Sequence, residues 1–63
     1  MKLKDLIKPT YLGDSVYCGR DPNTNNIVIG TCNEGNKLEN VIYLEDEVID
    51  FLISYYKKEV SPL

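Results

Sequence analysis

Ser15-Val16-Tyr17-Cys18-Gly19-Arg20-Asp21-Pro22-Asn23-Thr24-Asn25-Asn26-Ile27-Val28-Ile29-Gly30-Thr31-Cys32 is the stretch whose reading decides the fold. Ser15 to Arg20 alternates small or apolar residues in strand fashion. Asp21 to Asn25 is turn chemistry: proline pre-sets its φ, and Asn and Asp tolerate left-handed backbone and bond their own main chain. Asn26 to Cys32 is β-branched and apolar, the strongest strand signal in the chain. Two strands around this turn make an antiparallel hairpin. Cys18 then faces Val28 or Ile29, and Cys32 falls near Asp14 or Ser15. That register puts a Cys18–Cys32 disulfide beyond the short Cα–Cα reach of the bond. Two unpaired thiols fit a reducing compartment.

Working outward, Gly13-Asp14 reads as a turn before the first strand, and Asn33 to Asn40 as a polar loop containing Gly35. Val41-Ile42-Tyr43-Leu44 follows as a third short strand. Residues 11–44 are thus expected to form a three-stranded antiparallel β-meander. Residues 45–58 are expected to form an amphipathic helix packed against it. Glu45, Asp46 and Glu47 in the first turn and Lys57 and Lys58 in the last complement the helix dipole, and Pro62 follows the end. Val48, Phe51, Leu52 and Tyr55 recur at helical spacing as its core-facing stripe. Residues 1–10 form an N-terminal arm. Leu3, Leu6 and Ile7 have helical spacing, but Pro9 keeps Lys8 out of the helical region, so a short helix and an irregular arm both fit. The expected fold class is α+β, one small domain over 1–63.

Composition narrows the function. A domain of 63 residues buries only about 60% of the surface its unfolded chain exposes, so small scaffolds usually add a disulfide network, a metal or a partner. With two cysteines and no histidine, a zinc site within one chain is nearly excluded, and no metal or cofactor is expected. The same absence removes Ser/His and Cys/His nucleophile pairs, so the chain is not expected to be an enzyme. Glu45, Asp46, Glu47 and Asp50 can be drawn as paired carboxylates or a magnesium site, but three of the four lie in a helix first turn, where acids are expected anyway. Acids outnumber bases ten to seven, which disfavours nucleic acid as a partner. No apolar run suggests a secretory leader or a membrane span. Oligomerisation remains the expected supplement. Beyond the core-facing stripe the helix carries Ile49 and Ile53, continued by Tyr56 and Val60. A polar face belongs there in a monomer, so Ile49, Ile53 and Tyr56 are expected to meet a second copy. The competing reading folds the arm back so that Leu3, Leu6 and Ile7 cover Ile49 and Ile53.

The candidate binding residues are Tyr11, Asp14, Ser15, Tyr17, Arg20, Thr31 and Asn33. Tyr11 and Tyr17 flank a Gly-Asp turn and offer flat faces for stacking on a base or a partner side chain. They equally well pack and cap the edge of a sheet. Arg20, the only arginine, carries a fork suited to phosphate or carboxylate; its plainer role is an ion pair with Asp21. Thr31 and Asn33 end a strand and can donate to a ligand or serve an ordinary turn. Cys32 reads as a small buried apolar residue.

Tyr11-Leu12-Gly13-Asp14-Ser15-Val16-Tyr17, then Ile27-Val28-Ile29-Gly30-Thr31-Cys32-Asn33, then Asn40-Val41-Ile42-Tyr43-Leu44-Glu45 and a helix with paired tyrosines resemble a widespread group of short proteins encoded by tailed bacteriophages. The likeness spans about residues 11–57. That group often has proline after the Glu; here Asp46 stands there. The resemblance implies an anti-defence role in the cytoplasm of a bacterial host. In it a homo-oligomer sequesters a cyclic nucleotide alarm signal at subunit junctions, with Tyr11 or Tyr17 on a base and Arg20 with a nearby Lys on phosphate. The alternative is an accessory or inhibitor protein, of the anti-CRISPR kind, that docks on a host or phage protein.

Overall fold

The computed structural model describes residues 1–61. Pro62, expected just past the helix, lies outside the described residues. A 3₁₀ turn (Leu3–Asp5) leads into β1 (Ile7–Gly13), followed by β2 (Val16–Arg20), β3 (Ile27–Thr31), β4 (Glu39–Leu44) and α1 (Asp46–Tyr55). A single π turn (Tyr56–Val60) extends α1, closed by the Ser61 N–H on the Tyr56 carbonyl at 2.8 Å. The strands pair antiparallel in sequence order β1-β2-β3-β4. The architecture is therefore an α+β chain with a four-stranded meander and one C-terminal helix.

The extra strand corrects the expected three-stranded sheet. β1 takes residues 7–10 from the expected arm. Pro9, which hides the strand in sequence, is accommodated because β1 is an edge strand, where a missing N–H costs no ladder bond. Two bulges absorb the irregularity. One lies between the Ile7↔Arg20 and Thr10↔Cys18 pairs, with Lys8 at φ 49°; the other lies between Tyr11↔Tyr17 and Gly13↔Val16. Asp14 and Ser15 form the two-residue loop between β1 and β2, both left-handed at φ 50° and 66°. This is the primed turn geometry that matches strand twist.

The central hairpin takes one of the two registers the sequence left open: Cys18 opposes Ile29, Gly19 opposes Val28, and the Cys32 N–H donates to the Ser15 carbonyl at 2.8 Å. Its turn is organised by Asp21, a buried carboxylate. The carboxylate accepts from the Asn23 N–H at 3.3 Å and the Thr24 hydroxyl at 2.9 Å, while the Asn25 N–H reaches the Asp21 carbonyl at 2.7 Å.

Alternation sorts the sheet into two faces. On the first, the buried core consists of Leu6, Val28 and Leu38, with Leu3, Tyr17, Cys32 and Val41 packed around it. Two glycines make this core. A Cβ on Gly19 would lie 2.8 Å from the Leu6 Cβ, and one on Gly30 would lie 2.7 Å from the Leu38 Cγ. Each glycine is a dimple that seats one leucine. Residues 1–6 and the 32–38 loop deliver those leucines and clasp each other. The Leu3 N–H meets the Asn36 carbonyl at 2.8 Å, the Leu38 N–H meets the Met1 carbonyl at 3.0 Å, and the Lys4 N–H meets the Asn36 Oδ1 at 3.0 Å. The arm thus covers the sheet, not the helix, which corrects the idea that it shields Ile49 and Ile53.

The second face carries Val16, Cys18, Ile27, Ile29, Ile42, Leu44 and Ile7, placed together by the pairs Ile29↔Ile42, Cys18↔Ile29, Ile27↔Leu44 and Ile7↔Arg20. None of them is buried.

The helix departs furthest from expectation. It begins one residue later than the expected 45–58, so Glu45 precedes the first turn while Asp46 and Glu47 lie within it, and α1 itself ends at Tyr55, leaving Lys57 and Lys58 in the π turn. Yet it buries no side chain. Phe51 is 75% exposed and Tyr55 60%, Val48 and Leu52 are also exposed, and Ile49 alone is half-buried. The expected core-facing stripe does not pack on its own sheet. One residue, Glu45, separates β4 from α1; strand–helix connections usually take about two to six.

Candidate functional site

Five of the sequence-selected residues gather at one end of the sheet. Tyr11 and Tyr17 are cross-strand partners on the leucine-bearing face, ring centroids 5.0 Å apart and tilted by 56°. The Tyr11 hydroxyl lies 3.5 Å from the Ser15 N–H, so the ring closes over the Asp14-Ser15 turn. This is the packing-and-capping role, although Tyr11 remains exposed. Thr31 sits at the same end, opposite Val16, but on the other face. Its hydroxyl donates to the Glu39 carbonyl at 3.3 Å and accepts from the Asn40 amide at 2.9 Å. Asn40 is left-handed at φ 54°, beside the irregularity between the Ile29↔Ile42 and Thr31↔Glu39 pairs, so Thr31 steadies a bulge in β4. Asn33 is exposed in the loop that follows β3.

Arg20 stands apart. It ends β2 three residues beyond Tyr17, about 10 Å along the strand, and its side chain lies on the face opposite the tyrosine pair. The guanidinium donates to the Asn25 Oδ1 in the hairpin turn. The expected Arg20–Asp21 pair is replaced by this contact, because the Asp21 carboxylate is engaged by Asn23 and Thr24. Within one chain the structure does not bring a stacking ring and the arginine fork together. Among the described residues there is no enclosed pocket, and no group of three His, Cys, Asp or Glu placed to hold a metal ion. Cys18 and Cys32 are both free thiols; the Cys32 Sγ lies 3.5 Å from the Gly35 carbonyl. No helix among the described residues is long and apolar enough to cross a membrane.

What the structure offers for recognition is uncovered apolar surface. At 100° per residue, the apolar side chains of α1 and its π turn span an arc of about 200°. The arc divides into two stripes. Val48, Phe51, Leu52 and Tyr55 form one; Ile49, Ile53, Tyr56 and Val60 form the other. Both repeat at i, i+4 and i+7, the spacing by which an amphipathic helix anchors in an apolar groove. The second stripe was visible in the sequence as excess over what a sheet requires. The open sheet face was not, because its residues read equally well as core.

Compared with protein-family models, with curated protein sequences and with solved structures, the chain matches none.

Proposed function

We propose that the protein is a non-enzymatic interaction protein that docks on another protein by presenting its C-terminal helix. The observation that carries this reading is the uncovered helix itself, with Ile53 and Tyr56 both exposed on a stripe that its own sheet has no use for. Contiguous exposed apolar surface of this kind marks association sites. A chain without histidine also lacks the usual base for nucleophile activation. The resemblance to short phage proteins supplies the setting: an accessory or inhibitor protein acting on a bacterial host protein in the host cytoplasm. The test is capture from host lysate, identification of the retained protein, and titration with that protein purified. Ile53→Asp is expected to weaken the reconstituted complex at least tenfold. Equal affinity for the two forms, or no reconstituted complex at all, overturns the reading.

The sequestration of a cyclic dinucleotide has one observation in its favour, the exposed Tyr11 ring leaning on Tyr17 beside a left-handed turn. Its phosphate partner, Arg20, would have to come from another chain. A ligand bound only to the native state raises the melting temperature. A micromolar cyclic dinucleotide that raises the wild-type melting temperature, but not that of Tyr11→Ala, would move the assignment to this reading.

A further inference from the structure

Two apolar surfaces of this chain are complementary in kind and unmet. One is the open sheet face, centred on Cys18 and Ile29 with Ile27, Ile42 and Leu44 around them. The other is the Val48, Phe51, Leu52 and Tyr55 stripe of α1. A helix stripe on a sheet face is the standard way of closing a two-layer α+β core. Here α1 follows an edge strand through a single-residue joint at Glu45 and buries no side chain against the sheet. We infer that a second copy of this chain closes both surfaces: α1 of each chain lies across the open sheet face of the other, in a two-fold symmetric exchange.

The areas agree with this occupant. The chain exposes 4958 Å², against about 4100 Å² for a compact folded chain of its mass. Its Cα radius of gyration is 12.7 Å, against about 10.6 Å for a compact chain of its length. The excess surface is roughly 850 Å² per chain, and a stable interface takes about 800 Å² from each partner. A reciprocal exchange uses the same two surfaces on both copies, as two-fold symmetry requires. It also moves the self-contact from the Ile49, Ile53 and Tyr56 stripe expected from sequence to the neighbouring one. The first stripe then does the core-facing work its spacing announces, but on another chain, and the second stays free. The inference does not depend on which protein the second stripe engages.

The test places a thiol on each surface. In a Cys32→Ser background, Leu52→Cys faces the native Cys18 of the second copy. Mild oxidation is expected to give a disulfide between chains, seen as a doubled mass on a non-reducing gel, and not without the Leu52→Cys change. A disulfide within one chain would mean that α1 folds back on its own sheet, and it would overturn the inference; so would no disulfide. Light scattering gives an independent reading. The wild type is expected at the mass of two chains at submillimolar concentration. Leu52→Asp and Ile29→Asp are each expected at the mass of one, with the circular dichroism of a folded chain. Ile53→Asp is expected to remain at two, which separates this contact from partner docking. A wild type that stays at one chain throughout also overturns it.

Discussion

Leu38 and Phe51 are both large apolar residues, one in a stretch that reads as a polar loop and one on the apolar stripe of a helix, and the molecule treats them in opposite ways. Leu38 is 3% exposed, seated in the dimple at Gly30 under a backbone clasp. Phe51 is 75% exposed on a helix that buries nothing. Hydrophobicity alone did not decide the outcome. What distinguishes the two regions is a receiving surface: the first sheet face has glycines that let leucines approach the backbone, and α1 has no such surface within its own chain. The stability of one chain therefore resides in the first region, and its capacity for association in the second.

The largest effect should come from emptying the core. Leu38→Ala removes one of the three buried apolar side chains among the described residues and should cost about 2–5 kcal/mol, close to the whole stability of so small a domain. Phe51→Ala should cost under about 0.5 kcal/mol at concentrations where the chains are separate. Urea titration of the two variants tests the comparison directly; a Phe51→Ala loss as large as that of Leu38→Ala would break it. Next in size is the dimple itself. A Cβ at Gly30 would meet the Glu39 carbonyl at 2.9 Å as well as Leu38, and backbone cannot yield as a side-chain end can. Gly30→Ala should cost about 1–3 kcal/mol and lower the urea midpoint, although alanine is the better strand residue. The smallest effect has the opposite sign. Ser15 holds φ 66° in a two-residue hairpin loop, a conformation that costs a non-glycine residue about 1–2 kcal/mol. Ser15→Gly should raise stability by about 0.5 kcal/mol after glycine's own entropy is counted, visible as a small rise in melting temperature.

The parts of this fold legible in sequence were those specified locally. The Ile27–Thr31 strand, the Asp21–Asn25 turn, the Cys18 register to within one residue and the start of α1 follow from residue type and short-range periodicity. The parts not legible depend on distant partners. β1 looked like an arm because Leu3, Leu6 and Ile7 mimic helical spacing, and because a strand with Pro9 is tolerable only once it is known to be an edge. Leu38 looked like a loop residue because its receptor, Gly30, is visible only in the register of the sheet. The helix stripe was correctly read as apolar, but a pattern states that a face will be covered, not by which molecule. For the candidate site, the tyrosines were legible as flanking a turn at Asp14, but Ser15, read as the start of a strand, belongs to that turn. That Arg20 faces away from Tyr17 is itself local, since an odd number of positions separates them on one strand; that Tyr11 joins Tyr17 on one face was not legible, because it depends on the register of β1 against β2.

The clasp between the arm and the 32–38 loop bears on the order in which the chain assembles. Its hydrogen bonds join residues as far apart as Met1 and Leu38, 37 positions along the sequence, whereas the β2–β3 turn closes between Asp21 and Asn25. Short loops close at less entropic cost than long ones, so the middle hairpin is the natural nucleus and the clasp the last piece to lock. During synthesis, Leu6 emerges early and must wait for Leu38 before the core it belongs to exists. Until then the Gly30 dimple on β3, which Leu38 fills, is an open notch.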